Sequence, residues 1–190
     1  MDINGKKAIV FGGTSGIGLS ATQMLSDKGA HVIALSRNPE KVRNVPKNVT
    51  TKKMNVLDRD ALEQFFQEEG EYDILVNSAT GGARAVGPFL SMDLDGYRAS
   101  FDKLWGYTNV VRYGTKHLKD NGNIVLVSGS PARKCRPGQI AISSVGGAVE
   151  AFARGIAPEI APKRINIVSP GIIDTPMSPL QGKEREDYYN

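Results

Sequence analysis

One cysteine, Cys135, stands among 190 residues, so no internal disulfide forms and a reducing, cytoplasmic setting suits the chain. No apolar run approaches the ~20 residues of a membrane span, and Met1-Asp2-Ile3-Asn4 resembles no signal peptide. A membrane partner is therefore not expected. The two histidines, His31 and His117, lack metal-ligand spacing, so no metal site is expected. Net charge is a mild +4; it favours an anionic ligand, but no Lys/Arg tract is long enough to bind nucleic acid. Repeats, low-complexity segments and linkers are absent, and the length fits a single domain, residues 1–190. Tyrosine is missing from the whole stretch between Tyr113 and Tyr188.

What is present alternates. Ala8–Phe11, Val32–Leu35, Ile74–Val76, Ile124–Val127 and Ile165–Val168 are short apolar runs rich in β-branched residues. Continuous hydrophobicity predicts strands buried on both faces, as in a parallel sheet. A weaker strand is predicted over Val49–Asn55. Between them, Ile17, Ala21, Met24 and Leu25 share one helical face, as do Leu62, Phe65 and Phe66. A long helix is predicted from Gly96 to Leu118. Another starts near Ile142, with Val145, Val149, Phe152 and Ile156 on one stripe, and kinks or ends near Pro158. Six strands alternating with helices predict an α/β fold, a doubly wound parallel sheet of Rossmann type.

Gly12, Gly16 and Gly18 fall between the first strand and the first helix, with Thr14, Ser15 and Ile17 among them. Such a turn lets a pyrophosphate approach the backbone and meet free N–H groups at the helix start. The strand-turn-helix setting separates it from a glycine turn that binds nothing. The spacing Gly-x-x-x-Gly-x-Gly resembles the short-chain dehydrogenase/reductase family. Three further segments extend the likeness over nearly the whole chain, with one departure just before the turn. Phe11 stands where that family commonly has threonine. Asn55-Val56 resembles its acidic-residue-plus-valine pair beside the adenine ring. Asn77-Ser78-Ala79-Thr80 resembles its Asn-Asn-Ala-Gly motif. Pro170-Gly171-Ile172-Ile173-Asp174-Thr175 resembles the segment that contacts the nicotinamide carboxamide.

The resemblance implies a nicotinamide dinucleotide. After the second predicted strand the chain reads Ser36-Arg37-Asn38, without the carboxylate that accepts hydrogen bonds from the ribose of NAD. Arg37 is either a solvated loop residue or the partner of a 2′-phosphate, and the missing acid favours NADP over NAD.

It also implies a serine, tyrosine, lysine and asparagine site, which this chain lacks. Anchoring on Gly147-Ala148-Val149-Glu150-Ala151-Phe152 puts Gly146 at the lysine position and Ile142 at the tyrosine position. Thirteen residues before Ile142 stands Gly129, between Ser128 and Ser130, and the asparagine position falls on Lys103. Lys103, Ser128 and Ser130 are the candidate substitutes. Arg133, Lys134 and Arg136 add three cations on one loop, read as a solvated loop or an anion site. Tyr107 and Tyr113 are expected to pack.

The leading reading is an NADP-dependent oxidoreductase acting on a small carbonyl or alcohol through a nonstandard site. The alternatives are a catalytically silent NADP(H)-binding sensor or scaffold, and an inert fragment. Ser144, Gly147, Ala148 and Ala151 allow close helix approach, consistent with the homo-dimer or homo-tetramer common in the family. The usual seventh strand is not found between Met177 and Asn190; if it is absent, the sixth strand becomes an unpaired edge unless a partner covers it.

Overall fold

A computed structural model describes residues 2–42, 45–80, 84–176, 178 and 180–189, and its frame is a parallel sheet. The strands are β1 (Lys7–Phe11), β2 (His31–Ser36), β3 (Val49–Lys53), β4 (Tyr72–Asn77), β5 (Leu118–Val127) and β6 (Arg164–Val168). They hydrogen-bond in the order β3-β2-β1-β4-β5-β6, every pair parallel. Alternation along β1 explains its continuous apolar run. Ile9 and Phe11 enter one core and Ala8 and Val10 the other, and all four are buried.

The larger core lies under α2 (Arg59–Glu69), α4 (Asp102–Gly114) and α5 (Ile140–Ile156), which contribute Phe65, Phe66, Tyr107, Val110 and Val149. Phe66 stacks on Tyr72, whose hydroxyl donates to Gly114 O at 2.8 Å. The opposite core holds the smaller Ala8, Ala30, Ala34 and Val76, with Ala21 and Leu25 of α1 (Gly16–Asp27) packed on it. Met24 does not join them; it is 61% exposed.

Three sequence expectations need correction. The helix expected over Gly96–Leu118 is two, α3 (Leu94–Ser100) and α4, broken at Phe101 (ψ −8°). Leu118 instead opens β5, opposite Tyr72. The third strand stops at Lys53, before Asn55. α5 ends at Ile156, two residues before Pro158, as expected. Met177, Pro179 and Asn190 lie outside the described residues; before Asn190 the chain forms α6 (Gly182–Tyr189). Among the described residues β6 pairs only with β5. None of their helices is long and apolar enough to cross a membrane.

The strand order sets the site. From β1 the chain moves outward to β2 and β3; from β4 it moves the other way, to β5 and β6. The loops leaving β1 and β4 therefore diverge and open a crevice at the carboxyl ends of the strands.

Candidate active site

A cleft of about 1200 Å³ occupies that crevice, larger than the roughly 300–1,000 Å³ of ordinary small-molecule pockets. It has room for two ligands side by side, or one long one.

The glycine turn forms one wall, together with Thr14, Ser15 and Ile17. Gly12 and Gly16 have left-handed backbone (φ +74° and +51°), where a side chain is strained. A Cβ on Gly12 would stand 2.8 Å from Ala79 N and Ser78 Oγ, and one on Gly18 would overlap Gly12 O and Ser78 Oγ. Ser78 clamps the turn, donating from N (2.9 Å) and Oγ (3.0 Å) to Phe11 O. Gly12 N donates to Leu35 O at 2.7 Å. Ser15 caps α1 with extended backbone and no capping bond from its side chain. The N–H groups of Gly16, Ile17 and Gly18 have no acceptor inside the helix, so the turn fits a phosphate in both shape and polarity.

Toward β2 the wall carries Ser36 and Arg37, with Thr14 Oγ1 donating to Ser36 Oγ at 2.7 Å. Asn55 and Val56 follow. Val56 is buried against Gly106, where a Cβ would stand 2.5 Å from its Cγ2. Ala79 lies opposite. Asn77 does not reach the cleft, contrary to the motif-based expectation. It is fully buried on β4, its Oδ1 accepts from Ala79 N at 3.1 Å, and its Nδ2 has no partner among the described residues. Inward strand alternation, which the motif does not display, decides its direction.

The other end is built from the ends of β5 and β6 and from two helices. Ser128 N donates to Val168 O and Ser130 N to Pro170 O, both at 2.8 Å. These bonds hold Ser128, Gly129 and Ser130 beside Pro170, Gly171, Ile173 and Thr175 on the lining. Ser128 is buried and donates its hydroxyl to Gly146 O at 3.1 Å, so that proton is already committed. Ser130 is half-buried, and its hydroxyl makes no hydrogen bond among the described residues. Ile142 presents an apolar side chain to the lining. At Gly146 a Cβ would stand 2.9 Å from Ala132 Cβ and 3.2 Å from Ser128 Oγ. The Ala132 and Ser128 side chains crowd the place where a longer residue would start.

Lys103, in the first turn of α4, lines the cleft and donates to Ser128 O at 3.3 Å. Its Nζ lies 5.4 Å from the Tyr107 ring centroid. Burial, and then the nearby Arg84 cation, push its pKa down to about 8. Tyr107 packs, as expected, with its hydroxyl held by Val127 O at 2.8 Å. Tyr113 packs against the core, and His117 stacks on Phe66.

The three-cation loop divides. Arg133 turns away to Glu150 (3.0 Å), a buried carboxylate that also accepts from Ser169 Oγ at 2.8 Å. The Ser169 bond, and against burial the Arg133 pair, hold that carboxyl below the usual range. Lys134 and Arg136 remain on the lining. Sequence reasoning missed Arg84, whose loop carries no motif, and Tyr188 and Tyr189 of α6, which also line the cleft. That helix is moored by Arg185, which pairs with Asp174, donates to Thr175 O at 2.9 Å and lies 5.9 Å from the Tyr189 ring. No group of three His, Cys, Asp or Glu among the described residues could hold a metal.

Comparison with known proteins agrees with this architecture. The chain is 31% identical to a 3-oxoacyl-(acyl-carrier-protein) reductase of Thermotoga maritima, over 98% of this chain and 82% of that one. An L-xylulose reductase of Bos taurus is also 31% identical, over 91% and 74%. A short chain dehydrogenase of Burkholderia cenocepacia, solved with NADP, superposes with a TM-score of 0.86 at 29% identity, covering 94% of this chain and 77% of that one. The sequence model of the short chain dehydrogenase family matches residues 6–186. On that match, which spans almost the entire sheet and cleft, the chain belongs to the short-chain dehydrogenase/reductase family.

Proposed function

We propose that residues 1–190 form a single, cytoplasmic dinucleotide-binding domain that takes NADP(H) and acts as an oxidoreductase on a small carbonyl or alcohol through a nonstandard site. The observation that carries this reading is one cleft with a glycine cradle at one end and Lys103 and Ser130 at the other. When bound, the nicotinamide supplies or accepts hydride. Gly12, Thr14, Ser15, Gly16, Ile17 and Gly18 would hold the pyrophosphate. Ser36 and Arg37 would hold the 2′-phosphate, and Asn55, Val56 and Ala79 the adenosine. Pro170, Gly171, Ile173 and Thr175 would hold the carboxamide. Lys103 would hold a proton within the cleft, and the Ser130 hydroxyl would orient a carbonyl. Calorimetric titration with NADPH, followed by a screen of carbonyl substrates, tests the reading. Binding without any turnover would leave a silent NADP(H) sensor, in keeping with apolar Ile142 and the crowded position at Gly146.

NADPH is expected to bind more tightly than NADH. Among the described residues Arg37 makes no ion pair and no Asp or Glu lines the cleft. A hydrogen bond to a charged group contributes about 1.5–3 kcal/mol, and solvent at exposed Arg37 favours the lower end. Arg37→Glu should weaken NADPH binding by roughly tenfold or more. Equal affinities of the parent for both cofactors would sink the preference.

A homo-dimer or homo-tetramer through α4 and α5 is part of the same proposal. Trp105 on α4 is 61% exposed, Ala151 on α5 is exposed, and the space beside Gly147 is open. Ser144 contributes less than its size promised, because Tyr97 donates to its hydroxyl at 3.0 Å. Light scattering at micromolar concentration should give at least twice the chain mass; a monomer would count against this interface.

A further inference from the structure

The end of the cleft away from Arg37 carries cations that pair with no carboxylate among the described residues. Arg84 lies on the loop after β4, and Lys134 and Arg136 on the loop before α5; all three are exposed and line the cleft. The two loops are joined face to face, Gly87 N donating to Gly138 O at 3.0 Å. Gln139 Oε1 accepts from Arg136 N at 3.3 Å and fixes the second loop where it enters α5. Lys103 lies deeper, close enough to Arg84 for the two charges to oppose each other. Among the described residues none of these four forms an ion pair and no carboxylate lines the cleft. The same loop does neutralise a cation where it faces away, since Arg133 has Glu150. Like charges that line one cleft add their potentials and concentrate anions there. The cofactor phosphates, in the function proposed above, lie at the glycine turn and Arg37, so they do not account for this cluster. Val86, 69% exposed, stands beside it with Ile142 and Val145 on the same lining.

We propose that the carbonyl or alcohol taken by this cleft carries a small oxyanion, a carboxylate or a phosphate, held at the mouth by Arg84, Lys134 and Arg136 with its apolar part against Val86 and Ile142. This assignment of substrate class rests on the NADP(H)-dependent reading of the same cleft. The test is binding, not turnover. Protein saturated with NADP⁺ is titrated calorimetrically with 4-oxopentanoate against its methyl ester, and with dihydroxyacetone phosphate against dihydroxyacetone. At least one anion should bind roughly tenfold or more tightly than its neutral counterpart, and the pair that shows the preference distinguishes carboxylate from phosphate. Lys134→Gln/Arg136→Gln, on an exposed loop, should erase most of that preference while NADP⁺ affinity holds.

Equal binding within both pairs, or no binding of either anion at millimolar concentration, overturns the proposal. So does an unchanged preference in the double variant. A parallel loss of NADP⁺ affinity would assign these cations to the cofactor phosphates and overturn it as well. The same titrations on cofactor-free protein separate the two readings: failure to bind NADP⁺ removes the cofactor reading, while the anion preference stands or falls on its own pairs.

Discussion

Lys103→Met is expected to lower turnover on any carbonyl substrate by roughly 10²–10⁴-fold, the usual worth of a positioned general acid, while NADPH affinity is unchanged. Hydride arriving at a carbonyl carbon leaves charge on its oxygen, and a proton must come from a group within reach. Ile142 has none to give, and the Ser128 hydroxyl is committed to Gly146 O. Lys103 Nζ remains, on the lining and 3.3 Å from Ser128 O. Its pKa of about 8, set by burial and then by Arg84, brings it nearer working pH than an ordinary lysine. Methionine keeps the length and the apolar stem but removes the donor.

Two pH signatures follow, and they run in opposite directions. As an acid, Lys103 works below about pH 8, so the parent's rate should fall as pH rises through that value, and the variant should lose this limb. For stability, the folded pKa lies below the ordinary 10.5, so between the two values the unfolded chain binds the extra proton. Stability is therefore expected to rise with pH across that window relative to Lys103→Met, measured by thermal melting. On simple neutral ketones the parent itself is expected to turn over well below the ordinary enzyme median of about 10 s⁻¹. If Lys103→Met leaves rate and pH profile intact, the donor lies elsewhere on the lining, where Tyr188 and Tyr189 bring phenols.

The frame of the fold was legible because a doubly covered parallel sheet writes itself as continuous apolar runs. β4 is buried at every residue from Tyr72 to Asn77, and its run could hardly be read otherwise. The elements that were misread lack such a signature. β5 begins with Leu118-Lys119-Asp120-Asn121-Gly122-Asn123, polar enough to hide six residues of strand. The break at Phe101 has no proline or glycine to announce it; it shows only as a change of ψ. In the site, residues carried by local motifs were found together on one cleft, Asn77 apart. What escaped depends on distant partners. Arg133 looked equivalent to Lys134 and Arg136 until Glu150, seventeen residues on, claimed it. Arg84 lines the mouth on a loop that one backbone bond, Gly87 to Gly138, ties to a segment far away in sequence.

Gly18→Ala is expected to destabilise the protein by about 1–3 kcal/mol and to abolish the stabilising effect of NADPH. Helix propensity alone predicts the reverse, since alanine gains up to about 1 kcal/mol over glycine inside a helix. Gly18 is not among the positive-φ glycines, so its backbone would accept alanine without strain. The contact decides the sign. A Cβ there would overlap Gly12 O and Ser78 Oγ, and neither can yield cheaply. Gly12 is tied to Leu35 O, and Ser78 is tied twice to Phe11 O. Relief requires α1 to lift from the turn, which withdraws the N–H groups offered to a pyrophosphate. In a chain of this size 1 kcal/mol moves the melting temperature by roughly 2–4 °C. NADPH at a hundred times its Kd should add about 2.7 kcal/mol to the parent and nothing measurable to the variant. Gly155→Ala is the control: its Cβ meets open space near the end of α5, and removing a helical glycine there should raise stability by about 0.4–1 kcal/mol. Thermal melts of the three proteins, with and without NADPH, read both effects. A Gly18→Ala protein that melts with the parent and keeps the NADPH shift would show that the turn is not a close-packed phosphate cradle.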